Sequence, residues 1–419
     1  MLVRIVFALE RMSNMGSLSE ELAWRGFVNQ TTFTDNNVLD GDPLSFYFGV
    51  DPSADSMHIG QLAMAMMIRH FIEHGHKATL LVGGATGMVG DPDGKAEERE
   101  LKSVEEIEHN KAGIAAQYQS LFDGQPFDVV DNYDWFKDMN YLTFLRDIGK
   151  HVAVSQMLGR DFIQSRLGEG GAGISYAEFS YALIQGYDFL HLYREKGITL
   201  QIAGADQWGN SVTGVQLIRK IENAEANVWT APLIINKTTG RKFGKSEEGA
   251  IWLDEKQTSV YQFYQFWLNV DDEGVIDYAK IYTLLTCAEI EELSQKQSEN
   301  PGARPAQKRL AYEVTKLVHG EIAAESARRV TEVLFGGAAF DSLSGDDMEL
   351  LAAEIPTAER GESVVDILTN SGITDSKGEA RRLILGGAIS VNGSKISDDQ
   401  MLDHPALIKK GKNSFLLVR

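Results

Sequence analysis

Histidine 58 stands in His58-Ile59-Gly60-Gln61, preceded by Asp51-Pro52-Ser53-Ala54-Asp55-Ser56-Met57. Lys242-Phe243-Gly244-Lys245-Ser246 begins 184 residues later. A histidine followed by glycine at the start of a helix offers donors to phosphate oxygens, reinforced by the helix macrodipole. Two lysines around a glycine, within the charge- and Gly-rich segment from Lys237 to Gly249, are cations on a flexible arm. Such an arm can close on pyrophosphate as charge develops in a transition state. Together the motifs supply donors and mobile cations for an ATP triphosphate held from two sides of one cleft. Each alone is ordinary, and a core histidine and a solvated loop are the plain alternatives.

A second group of residues could read a polar ligand. Tyr181, Gln185 and Asp188 are spaced four and three apart, so they share one helical face. Their flanks, Phe179, Leu183, Ile184, Phe189 and Leu190, are apolar nearly all round, which points to burial of that polar face. Buried polar groups need partners, and a bound polar ligand would satisfy them. A solvent-facing polar stripe is the competing reading.

Other features argue against particular chemistries. The run from Gly83 to Lys95 is not a P-loop. Gly90 and Gly94 enclose three residues rather than four, and Ala96 rather than Ser or Thr follows Lys95. Its glycines instead allow a tight turn where backbone approaches a ligand, with Asp91 and Lys95 at the rim. His70, His74 and His76 contain an i, i+4 pair but lack nearby cysteine or a convincing carboxylate ligand. They are read as a solvated helix end, and no metal site is assigned.

The elements that must position these residues alternate. Strand-like runs at 44–50, 77–82, 127–130 and 199–202 are separated by helical patterns at 60–74, 176–193 and 206–221. That order predicts an α/β, Rossmann-like domain with a parallel sheet covered by helices. Ligands then sit at the carboxyl ends of the strands, where 47–61, 83–95 and 203–210 fall. From about Ser259 to Leu334 the pattern is wholly helical, and residues 363–419 return as a small mixed unit.

The 419 residues predict two or three domains. A single cysteine, Cys287, rules out an internal disulfide; the cytoplasm fits best, with Cys287 buried in an apolar helix. No run reaches the length of a membrane span. The apolar stretch from Met1 to Leu9 is closed by Glu10 and Arg11 without a cleavage site. Residues 1–17 are therefore read as a disordered extension, with Met12 or Met15 as the start. A net charge of −20 opposes broad nucleic-acid binding, and neither DNA nor membrane is expected as a partner. The tail is an exception: residues 360–419 hold nine Lys/Arg against seven Asp/Glu.

With these pieces in order, the chain resembles the bacterial tyrosyl-tRNA synthetases, a family of class I aminoacyl-tRNA synthetases. Matching blocks run from about Leu18 to the C-terminus. They include Trp24–Gln30, Tyr47–Asp55, Leu81–Asp91, Asn132-Tyr133-Asp134-Trp135, Phe179-Ser180-Tyr181, Gly204–Asn210 and Lys242–Ser246. The resemblance implies activation of L-tyrosine by ATP, with Mg2+ and no tightly bound prosthetic group. Transfer of tyrosine to the 3′ end of its tRNA follows, and the enzyme is expected to be a homodimer.

By position, it places Tyr47 and Asp188 on the phenol, Tyr181, Asp91 and Gln185 around the ammonium, and Gln207 near the carboxylate. Gly204 and Asp206 meet the ATP ribose. Ser53, His58, Lys95, Arg99, Lys242 and Lys245 face the phosphates, with Asp51, Gly60 and Ser246 completing the ATP site. Two departures stand out. Gln61 replaces a second histidine and can donate a hydrogen bond but carries no charge, and Ser53 replaces the commoner threonine.

The tail from Val364 to Gly393 resembles the S-four type RNA-binding domain, with Lys377, Arg381 and Arg382 on its recognition helix, where phosphates and shape rather than base edges are read. A solvated basic helix is the alternative there. The domains implied are an extension (1–17), a catalytic domain (18–250), an α-helical anticodon-recognition domain (251–345), a linker (346–362) and an α+β RNA-binding domain (363–419). A tryptophan-specific relative is the nearest alternative, which Tyr47 with Asp188 speaks against. A non-catalytic RNA-binding relative would have no use for His58, Asp91, Lys242 and Lys245.

Overall fold

The computed structural model describes residues 16–91, 103–159, 161–168, 173–240, 242–243, 245–246 and 249–419. Lys95, Arg99 and residues 1–15 of the extension lie outside them. The chain divides into two compact units. One holds residues up to Thr258 together with Val270–Leu310, and the other Ser259–Asn269 with Ala311–Arg419. The helical stretch from 251 to 345, read as one domain, is therefore shared between the two. Among the described residues no helix is long and apolar enough to cross a membrane.

The first unit is built on six strands: β1 (Gln30–Thr31), β2 (Ser45–Val50), β3 (Lys77–Val82), β4 (Asp128–Asp131), β5 (Leu200–Gly204) and β6 (Asn227–Ala231). Their spatial order is β1-β6-β5-β2-β3-β4. All neighbours are parallel except the edge pair β1 and β6. The chain runs outward from β2 through β3 to β4, then returns to the other side of β2 with β5. This reversal opens a crevice at the carboxyl ends of β2, β3 and β5, where such sheets bind ligands. β3 and β5 are buried along almost their whole length, which explains their continuous apolar sequences.

Helices α1 (Leu18–Arg25), α2 (Ile59–Glu73), α3 (Tyr176–Lys196), α4 (Trp208–Glu222) and α5 (Val275–Tyr282) belong to the same unit. α3 begins with a capping box in which the Ser175 hydroxyl accepts from Glu178 N and Glu178 accepts from Ser175 N. Arg166 adds a buried ion pair to Glu178 at 2.6 Å. α3 and α4 approach closely at Gly186 and Gly214. A Cβ on Gly214 would lie 2.7 Å from Cβ of Phe189, so a larger residue would push the helices apart. That contact fixes the stretch of α3 carrying Gln185 and Asp188.

Two groups of side chains differ from the sequence expectation. His70 and His76 are buried rather than at a solvated helix end. His76 Nδ1 accepts from Leu44 N, and its Nε2 lies 3.0 Å from Leu39 O. Burial, together with Arg25 and His74, holds the His70 ring well below the usual histidine range. Cys287 is half-buried at the start of a helix, with its thiol donating to Glu291, so it does not fill an apolar core.

In the second unit, residues 346–362 are not a simple linker. Gly345–Glu354 is a helix capped by Ser344 and Asp347, and Thr357–Ala358 pairs parallel with Leu417–Val418. That strand completes a five-stranded sheet whose other members are Ile389–Val391, Ser394–Lys395, Ala406–Lys410 and Ser414–Val418. Helices Val364–Asn370 and Lys377–Leu385 cover it, burying Val364, Ile367, Leu368, Ile384 and Ile408.

Candidate active site

Tyr47 lies in the middle of β2, its ring 5.2 Å from that of Phe189 on α3. Its hydroxyl is buried and has no hydrogen-bond partner among the described residues, and the same holds for Oε1 of Gln185. Leaving such atoms unpaired costs about 1–3 kcal/mol each. The cost is relieved when a ligand supplies the partner.

Asp188 is 1% exposed. One carboxylate oxygen accepts from Trp135 Nε1 at 2.9 Å, the other from Asn132 Nδ2 at 3.1 Å. Burial pushes its pKa up to about 8, against the two hydrogen bonds, which lower it, and with Asp51 and Asp131, which raise it further. Burial, and then the charge of Asp188, likewise raises the Tyr47 phenol. An acid with both oxygens already accepting, next to an unpaired hydroxyl, suits a ligand hydroxyl that can donate.

Nearer the mouth, the Tyr181 hydroxyl donates to Asp51 at 2.9 Å, and Thr86 donates to the other Asp51 oxygen at 2.8 Å. Gln207 donates to Asp91 at 2.5 Å, and Asn210 donates to Gln207 at 3.3 Å. Burial, with Asp51 and Asp91, raises the Tyr181 phenol well above its ordinary value. Two carboxylates, Asp51 and Asp91, thus bear on one small region around Tyr181, an environment that attracts a cation such as an ammonium. Asp51, expected in the ATP site, turns its carboxylate onto Tyr181.

At the start of α2, His58 is the N-cap. Its Nδ1 accepts from Gly60 N at 3.0 Å, while Gln61 Oε1 accepts from His58 N at 3.0 Å. Because Nδ1 accepts, the neutral ring carries its proton on Nε2. Gln61 is thereby engaged in capping, a role that any side-chain acceptor at the third helical position can fill. Ser53 is exposed on the preceding loop. Gly204 and Asp206 lie at the end of β5, where a Cβ on Gly204 would come 2.6 Å from Asp206 Oδ1.

Lys242 is exposed on a hairpin, bridged to Ile235. Lys245 and Ser246 pair antiparallel with Gly249–Ala250. The chain then zips against the histidine motif: Ile59 N donates to Ile251 O, Leu253 N donates to Met57 O, and the Trp252 ring meets that of His58 edge-on at 6.0 Å. The backbone therefore ties the two signature segments together. Lys377, Arg381 and Arg382 are exposed in the second unit, with Lys377 paired to Asp366 at 2.6 Å.

Asn132, Trp135, Thr86 and Trp252 had no assigned role in the sequence. The available signal was a polar residue, Asn132, directly after a strand at its ligand-facing end. It is fully buried and joins Asp188, Thr86 and Ala85 N.

The titration of Asp188 has a kinetic consequence. If the ionised form accepts a hydrogen bond from a ligand hydroxyl, kcat/KM for that ligand rises with pH from about 6 toward about 8, the range over which Asp188 of the free enzyme ionises. Asp188→Asn abolishes the rise. A flat wild-type profile in steady-state kinetics over that range contradicts this role.

Residues 39–336 match the family model of tRNA synthetases class I (W and Y), and residues 347–419 that of the Tyrosine--tRNA ligase SYY-like C-terminal domain. The tyrosine–tRNA ligase of Geobacillus stearothermophilus is 45% identical, the alignment spanning 96% of this chain and 99% of the relative. Tyrosine–tRNA ligase 2 of Bacillus cereus is 43% identical with the same coverage. Among solved structures, a C-terminally truncated mitochondrial tyrosyl-tRNA synthetase of Aspergillus nidulans superposes with a TM-score of 0.68. It is 30% identical, over 78% of this chain and 97% of that one. A tyrosyl-tRNA synthetase of Archaeoglobus fulgidus complexed with L-tyrosine, 14% identical with a TM-score of 0.54, shares the fold.

Proposed function

Because the chain belongs to the class I tRNA synthetases of the tryptophan and tyrosine group, on its tyrosine–tRNA ligase side, we propose that its crevice grips the tyrosine phenol with Tyr47 and Asp188. The enzyme activates tyrosine with ATP and transfers it to tRNA. In activation the substrate carboxylate attacks the α-phosphorus, pyrophosphate leaves, and tyrosyl-adenylate remains. A tRNA ribose hydroxyl then attacks the activated carbonyl and AMP departs. No protein nucleophile is required, so alignment and charge stabilisation carry the rate.

In our reading Tyr181, Asp91 and Gln185 receive the ammonium, and Gln207 lies by the carboxylate. Gly204 and Asp206 take the ribose. Ser53, His58, Lys95, Arg99, Lys242, Lys245 and Ser246 serve the phosphates. His58 donates from Nε2, and Gly60 lets the chain approach closely. Mg2+ fits as a metal carried on the triphosphate, since phosphate oxygens and water are its customary ligands. Among the described residues no group of three His, Cys, Asp or Glu side chains could form a resident cage. Lys377, Arg381 and Arg382 contact tRNA phosphates. By its likeness to the family the enzyme is proposed to act as a symmetric homodimer. One cysteine and no disulfide agree with a cytoplasmic setting.

The observation that carries the pocket assignment is the buried, unpaired Tyr47 hydroxyl beside Asp188. An apolar slot separates tyrosine from phenylalanine weakly, whereas a polar pair left unpaired rejects the analogue. Tyrosine-activating enzymes are themselves the usual illustration of this asymmetry. ATP–pyrophosphate exchange with tyrosine, phenylalanine and tryptophan side by side tests it. Tyrosine alone should support rapid exchange, and comparable turnover of phenylalanine would remove the phenol-gripping role.

A further inference from the structure

The hairpin that carries Lys242 is fastened to a helix that takes no part in the pocket. Its turn is closed by Thr239 N donating to Asn236 Oδ1 and Gly240 N donating to Asn236 O, both at 2.8 Å, with Gly240 at φ +67°. Ile235 pairs with Lys242, and Phe243 N donates to Ile234 O at 2.9 Å. Successive side chains on an extended strand face opposite ways. Lys242 accordingly is exposed while Phe243, inside the lysine motif, is only 7% exposed.

The Phe243 ring stacks on Tyr278 of α5, with centroids 4.2 Å apart and planes 25° from parallel, and Tyr282, one turn on, lies at 5.9 Å. The Tyr278 ring is itself confined. A Cβ on Gly274 would come 2.5 Å from it, and its hydroxyl donates to Asp271 at 3.4 Å. Lys237 and Asp277 form an ion pair between the same hairpin and the same helix. A loop that served only as a solvated tether would not bury an aromatic ring between its charged residues.

We propose that Tyr278 is a positioning residue for adenylate formation: its ring receives Phe243 and so fixes the direction from which the neighbouring Lys242 ammonium meets the pyrophosphate. The inference rests on the reading that Lys242 faces the phosphates. Misplacing a charge by about an ångström from its target costs rate while leaving the binding of remote substrate parts intact. The tyrosine pocket, built from β2, α3 and the loop after β3, is separate from this contact.

The test is tyrosine-dependent ATP–pyrophosphate exchange by the full-length enzyme, with KM and kcat measured for Tyr278→Leu, Tyr278→Phe, Phe243→Leu and the Phe243→Leu/Tyr278→Leu double variant, and Lys242→Ala as control. Tyr278→Leu should lower kcat about tenfold with KM for tyrosine unchanged, and Tyr278→Phe, which keeps the ring, should stay within about twofold of wild type. The double variant should be no slower than either single one, as for two residues acting through one contact. Wild-type kcat in Tyr278→Leu, failure of Tyr278→Phe to rescue, multiplying losses, or a rise in tyrosine KM that matches the loss in kcat would each overturn the proposal. Should Tyr278→Leu not fold, Phe243→Leu on the hairpin reads the same split between kcat and KM. Undiminished exchange by Lys242→Ala would overturn the lysine's role and this inference together. A slow Lys242→Ala beside a fast Tyr278→Leu would overturn the socket alone.

Discussion

Asp188→Asn should lower kcat/KM for tyrosine by about 10- to 10²-fold while KM for ATP changes by no more than about twofold. The carboxylate accepts from both Trp135 and Asn132. An asparagine has one acceptor oxygen, so its amide nitrogen would face one of these donors and leave a buried N–H unpaired. That cost falls on stability and is common to the free and bound enzyme, whereas losing a charge-assisted bond to the phenol costs the reaction about 1.5–3 kcal/mol. Each 1.36 kcal/mol is tenfold in rate, which gives the range stated. His58, Gly204 and Lys242 do not share these hydrogen bonds, so nucleotide affinity should be spared. Steady-state kinetics with each substrate varied decides the matter, and equal losses toward tyrosine and ATP would contradict the pocket.

His58→Ala should lower kcat for adenylate formation by about 10²- to 10³-fold, as expected when one preorganised donor to developing charge is removed. The same change removes the N-cap of α2, because Nδ1 accepts from Gly60 N, at about 0.5–2 kcal/mol. The two jobs can be separated. Asparagine is among the best N-caps but is too short to put a donor where Nε2 stands. His58→Asn should therefore restore the melting temperature and leave exchange slow. Thermal melting and exchange measured on both variants check this. Recovery of rate along with stability would mean that His58 acts only as a cap.

The legibility of this chain differed from residue to residue. β3 and β5 were plain because buried parallel strands are continuous apolar runs, and the 77–82 run matches β3 to the residue. α3 was plain over most of its length, since its periodic apolar pattern is long. Residues 346–362 were opaque for a physical reason. A polar helix such as Gly345–Glu354, with an acidic first turn, presents little apolar periodicity, and a two-residue strand shows none. The burial of His70 and His76 is not legible in the sequence, because a polar helix end ordinarily faces solvent. His76 is held inside by two backbone groups, which no sequence spacing announces.

Within the site, Tyr181, Gln185 and Asp188 were reachable because their spacing and flanks indicate a buried polar face, whereas Tyr47, on a strand, came from the family resemblance alone. Their roles came from the family resemblance rather than from the spacing. Asn132 and Trp135, which hold Asp188, arrive from the far end of β4, 53 and more residues away in the chain. Such long-range hydrogen bonds have no local signature. Gln61 illustrates the reverse case. It stood out as a departure from a motif, and the structure accounts for it as the acceptor that caps His58 N.

The claim on which the rest depends is that a ligand phenol completes the hydrogen bonding around Tyr47 and Asp188. Its most direct test is equilibrium binding of L-tyrosine and L-phenylalanine, measured by calorimetry on wild type and Tyr47→Phe. Tyr47→Phe should weaken tyrosine by roughly tenfold, the worth of one buried hydrogen bond, and leave phenylalanine unchanged. Equal weakening of both amino acids, or of neither, would contradict it.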